Sequence, residues 1–144
     1  MPDLTTKAPA GQVPLWQQLQ AAAGLLMAVQ GGQSLTKALL SVDATLRPSA
    51  QALSFHALRW LGRAGALRQQ LAKKPPPPEA DALLCVVLAL IWREEDAPYA
   101  PHTLVDQAVE AAKRDPATVH QASFINGCLR RFTRTRCTGG PHRR

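Results

Sequence analysis

The chain has 144 residues, enough for one domain with a real core, and 46% of them are apolar, which excludes generic disorder. Its three cysteines, Cys85, Cys128 and Cys137, are an odd number with no Cys-x-x-Cys pair, which argues against a disulfide framework and for a reducing, cytoplasmic setting. The net charge of +7 is unevenly spread: six of the 17 basic residues are arginines from Arg130 onward with no acid among them, and the remaining eleven face ten acids.

Residues 1–13 contain proline, glycine and threonine with little periodicity and are expected to form a flexible arm. They lack the basic start and apolar run of a signal peptide. From Leu15 the pattern turns helical: Leu15, Leu19, Ala22, Leu26 and Val29 step by four and three along one face. Gly31 and Gly32 stop this helix, because glycine takes the left-handed cap conformation freely. Ser34 can cap a short second helix carrying Leu35, Ala38 and Leu39. Arg47-Pro48-Ser49 breaks the chain again and opens a third helix, Ser49 to Arg63. Its stripe is Leu53, Ala57, Trp60 and Leu61, with Arg59 and Arg63 four apart on another face. A bend near Gly65 leads into a fourth segment, Ala66 to Leu71.

Pro75 to Pro78 form a stiff spacer, since proline lacks an amide donor and fixes its own torsion. Ala82 to Trp92 has no polar face. It is too short for a membrane span, which needs about 18 residues or more, so it is expected in the middle of a helical bundle. An exit loop from Arg93 to Pro101 follows. Thr103 with Asp106 reads as a variant capping box for a sixth helix, striped by Leu104, Val105, Ala108, Val109 and Ala112. Asp115-Pro116 offers a cap acceptor and a first-turn proline for the last helix, whose stripe is Ala122, Ile125, Cys128, Leu129 and Phe132. Gly127 inside that helix costs about 1 kcal/mol relative to alanine, which implies close approach of another backbone. Asn126, flanked by Phe124 and Ile125, implies a partly buried amide bonded to a loop or helix end. Period-two alternation is absent, so the expected fold is all-α, a bundle of about six to seven helices.

No catalytic constellation stands out. Cys85 and Cys128 lie on apolar stripes as inert core residues. Cys137 lies among arginines, with no histidine placed to act as its base. Cys137 and His142 make only two ligands, so no metal site is expected, and His56, His102 and His120 are scattered. No glycine-rich loop follows a strand, and no cofactor is expected. Trp60 and Trp92 read as core residues, and Trp16 stands near a helix start.

Two segments carry a resemblance. Leu104-Val-Asp-Gln-Ala-Val-Glu-Ala-Ala-Lys113, followed by Phe124-Ile-Asn-Gly-Cys-Leu-Arg130, resembles the C-terminal helix pair of NusB-like RNA-binding domains. The continuation Arg131-Phe-Thr-Arg134 looks like the branch fused to rRNA cytosine-C5 methyltransferases of the RsmB type. Phe55-His-Ala-Leu-Arg-Trp-Leu61 is similar to that branch's mid-domain helix, and Gly32-Gln-Ser-Leu35 to its first inter-helix turn. The similarity runs from about Leu15 to Arg136. It implies a NusB-like helical domain over 14–134 that binds RNA, specifically small-subunit rRNA, and holds it for a methyltransferase. Residues 135–144 depart from the family and are expected to be a basic, disordered tail. The free-standing antitermination factor starts with an arginine-rich segment, where this chain has only Lys7 before Lys37.

The methyltransferase branch continues into a catalytic domain that binds S-adenosylmethionine. These residues lack one, so no enzymatic activity is expected. The alternative that the resemblance leaves open is a transcription antitermination-type interaction module, whose partner is a ribosomal or antitermination protein; no membrane partner is expected. On physical grounds Arg130, Arg131, Arg134 and Arg136 are the first candidates for RNA contact, because guanidinium forks match phosphate oxygens. Lys113 and Arg114 come second, Arg59 and Arg63 third. Asn126 and Gly127 are read as structural.

Overall fold

A helix that is apolar on every side needs neighbours on every side. The computed structural model describes residues 13–93 and 99–139, with side chains as far as 135. In it that helix is α5 (Pro78–Ile91), and every residue from Ala82 to Ile91 is buried. Around it stand α1 (Leu15–Gln30), α3 (Arg47–Arg59), α4 (Leu61–Leu71), α6 (Pro101–Lys113) and α7 (Ala122–Gly139), each in contact with α5. A short α2 (Leu35–Leu39) packs on α1 beside a smaller cluster of Leu25, Ala38 and Ala50. The described residues form an all-α bundle of seven helices and one 3-10 turn, Val119–Gln121, with no strand. None of these helices is long and apolar enough to cross a membrane.

Several local signals act as expected. Ser34 Oγ accepts the Lys37 amide at 3.1 Å and caps α2. Gly32 has φ 103°, its amide donates to Val29 O at 3.0 Å, and the Gln33 amide donates to Ala28 O at 3.0 Å. That pair of bonds is a Schellman closure of α1, and it requires the left-handed residue at its centre. Unlike the expected spacer, which takes in Pro78 and leaves the helix to start at Ala82, α5 begins at Pro78, where the missing N–H costs nothing, and Glu79 and Asp81 place negative charge in its first turn.

Other expectations are corrected. The bend expected near Gly65 falls at Trp60, whose φ of −107° and ψ of 20° end α3 and admit α4. Neither glycine nor proline causes it. The Trp60 ring packs edge-on against Trp92 at this break, with centroids 4.9 Å apart. Thr103 and Asp106 make no capping box, because α6 begins earlier, with Pro101 at its first position. Asp115 does not cap the last helix directly. Its Oδ1 accepts the Ala117 amide at 2.9 Å and its carbonyl accepts the Thr118 and Val119 amides, so it closes a turn, and α7 starts only at Ala122. Helix α7 then runs past the Thr135 boundary to Gly139. The N-terminal arm over 1–12, loop residues 94–98 and residues 140–144 lie outside the described residues.

Polar ties join the helices where side chains reach exposed backbone. The Trp16 amide donates to Gln107 Oε1 and Gln20 Nε2 donates to Ala111 O, both at 3.0 Å, which locks α1 to α6. His56 Nε2 donates to Ala89 O at 2.9 Å and ties α3 to α5. Arg47 gathers the carbonyls of Leu39, Leu40 and Val42 at and just past the end of α2, acceptors that the helix itself leaves without partners.

Gly127 is the largest departure from expectation. It is exposed, and a methyl group built on it meets no atom within 4 Å, so no backbone approaches it. Two glycine substitutions should therefore have opposite signs. Gly127→Ala should stabilise the chain by about 0.5–1 kcal/mol, since it lowers unfolded-state entropy without strain. Gly32→Ala should destabilise it by about 1–2 kcal/mol, since the left-handed cap then carries a Cβ. Denaturant titration of both variants checks the pair, and equal signs would contradict the geometry.

Candidate nucleic-acid interface

The outer face of α7 is cationic because its inner face is spent on the core. Ala122, Ile125, Cys128 and Leu129 are buried, and helical spacing then turns Arg130, Arg131 and Arg134 outward. Arg130 is held from two sides: its Nε donates to Asn126 Oδ1 at 3.0 Å, and its Nη2 lies 3.1 Å from Asp106 Oδ1 on α6. Asn126 thus orients an arginine one turn along its own helix, not a loop or helix end as the sequence suggests. Arg131 Nη1 donates to the Leu71 carbonyl at 3.0 Å, at the end of α4. A guanidinium has five donors, so each of these side chains keeps others for an external oxygen. Arg136 belongs to the same helix, and its side chain is outside the described residues.

The Arg131–Leu71 bond brings in cations that sequence reasoning missed. Lys73 and Lys74, both exposed, directly follow the α4 end that Arg131 touches. Arg68, three residues before Leu71, pairs with Asp81 Oδ1 at 3.0 Å. Its Nε–H does not point at an acceptor, so charge rather than a directed hydrogen bond holds that pair. The Lys73-Lys74 doublet was the available signal. Only the fold reveals that it adjoins α7.

The second and third groups of candidates lie elsewhere. Arg114 pairs with Glu110 and sits 4.5 Å above the Trp16 ring, and Lys113 is exposed beside it in the last turn of α6. Asp106 and Arg114 are eight residues apart on one helical rise, about 12 Å, so this pair forms a corner of its own. Arg59 lies 5.4 Å over Trp60, and Arg63 lies 5.0 Å over Trp92. Among the described side chains, the three groups of candidate cations therefore lie in three separate places.

The two thiols among the described residues, Cys85 and Cys128, are both buried. Burial, with Asp81 beside it, pushes Cys85 up to about 12. Burial also raises Cys128, against the opposing pull of Arg131 and Arg68. Among the described residues no three metal-ligating side chains come together.

The family model of NusB matches residues 18–134. No curated protein and no solved structure matches significantly.

The Arg130–Asp106 pair is half-exposed on both sides, and such surface pairs are worth about 0–1 kcal/mol. Arg130 can therefore exchange its carboxylate for a phosphate at little cost. Asp106→Asn should strengthen binding of an RNA fragment by about two- to fivefold at low salt, with the melting transition nearly unchanged. Unaltered affinity, read by fluorescence anisotropy, would remove Arg130 from the contact surface.

Proposed function

Because the chain belongs to the NusB family over residues 18–134, we propose that it is a non-catalytic RNA-binding module of a cytoplasmic protein. Its target class is rRNA of the small subunit, held as the substrate of a cytosine-C5 methyltransferase. The observation that carries this reading is the set of exposed arginines on α7, Arg130, Arg131 and Arg134, with Lys73 and Lys74 just past the α4 end that Arg131 bonds. Arginines fixed by internal acceptors lose little conformational freedom when they meet phosphate. Contacts of this kind set position and orientation, with little reading of base identity.

The most specific part of the resemblance to the methyltransferase-fused branch, Phe124 to Arg134, is the same stretch that supplies the arginines. A salt series with small-subunit rRNA fragments tests the proposal. The logarithm of affinity should fall linearly with the logarithm of salt. Alanine at Arg130, Arg131, Arg134 and Arg136 should lower the slope by about 0.9 for each phosphate that is no longer neutralised. Binding that is insensitive to salt, or capture of a ribosomal or antitermination protein without any RNA, would favour the interaction-module reading instead.

A further inference from the structure

The corner where α3 ends, α4 begins and α5 leaves the core carries a strip in which rings and guanidinium groups alternate. Trp60 and Trp92 meet edge to face at 4.9 Å and 64°. Arg59 covers Trp60 at 5.4 Å, Arg63 covers Trp92 at 5.0 Å, and Arg93 lies 5.5 and 5.7 Å from the two rings. One helical turn before Arg59 stands Phe55, 53% exposed, a large apolar ring left in water on a helix whose other face is buried. We propose that this strip is a platform for unpaired RNA nucleotides, which stack on Phe55 and the arginine planes while their phosphates meet Arg59 and Arg63. The proposal rests on the RNA-binding reading above and adds to it a second contact surface with a different chemistry.

Three features point to this occupant. The first is charge. Arg68, Arg114 and Arg130 are each neutralised by a carboxylate, whereas Arg59 and Arg63 have aromatic faces as partners and no carboxylate among the described residues. Among the described residues no acid offsets their charge. The second is orientation. Each guanidinium is already held against an indole, at 5.4 and 5.0 Å from the ring centroid, so a base that stacks on it meets a reduced ordering cost. The third is the interleaving of exposed ring and cation, which is how single-stranded nucleic acid is held. Every base has a stacking face, and only unpaired bases expose it. Arg63 and the Leu71 carbonyl are eight residues apart on α4, about 12 Å, so one strand can reach from this strip to the α7 surface.

The test uses the full chain, a short single-stranded oligoribonucleotide of mixed sequence, and the same strand annealed into a duplex. Binding is read by anisotropy. Emission of Trp60 and Trp92 is followed in a Trp16→Phe background. The single strand should bind at least about tenfold more tightly than the duplex and should quench that emission. Phe55→Ala, and separately Arg59→Ala with Arg63→Ala, should each weaken single-strand binding by about tenfold and leave duplex binding unchanged, while Phe55→Tyr retains it. These side chains are exposed, and thermal melts confirm that the variants fold. If RNA binds but these variants behave as the parent, the strip is not the platform and the RNA-binding reading survives. If neither RNA form binds the parent chain, both fall. Loss of a protein partner on Phe55→Ala, with RNA binding intact, would assign the strip to a protein.

Discussion

Helix α5 has no side that tolerates water, and the rest of the bundle is arranged to meet that demand. Ten consecutive residues, Ala82 to Ile91, are buried, whereas the other helices each bury one stripe. Five helices contact α5, and each turns its apolar stripe inward to do so. Burial of this kind is non-directional, so it sets which faces point inward but not where each helix starts or bends. Directed contacts supplement it: the Trp60–Trp92 pair, the Schellman closure at Gly32, and the side-chain bonds that lock α1 to α6 and α3 to α5.

The same constraint sends the charged residues outward, where the fold gives arginine three kinds of partner. Arg47 and Arg131 hold carbonyls at helix ends, Arg68, Arg114 and Arg130 hold carboxylates, and Arg59 and Arg63 lie on indole rings. In each arrangement the planar fork is fixed in place with donors to spare. A surface built this way is ordered before a ligand arrives, which suits recognition of a charged polymer more than chemistry in a pocket. Both described thiols are buried with raised pKa values, in keeping with packing rather than reaction.

Much of the fold was legible because its signals are local. The apolar step of α1, the Gly31-Gly32 stop, the Ser34 cap and the all-apolar run of α5 each depend on residues within a few positions of one another. The NusB-like stretch from Leu104 to Arg130 is local in the same sense, and the family match covers it. The site was legible in part. The exposed arginines of α7 follow from its stripe, but Lys73 and Lys74 join them only through a bond from Arg131 to Leu71, 60 residues away.

By itself, then, the sequence determined the helical class, the central helix, the caps at Gly32 and Ser34, and the family, since periodicity and capping are written in neighbouring residues. Tertiary structure alone decided that α3 breaks at Trp60, that Asp106 pairs with Arg130 across 24 residues, that Gly127 faces open solvent, and that the basic residues divide among separate surfaces. Each of these depends on contacts between distant segments, and a pair of complementary side chains far apart in sequence leaves no mark on the local pattern of either.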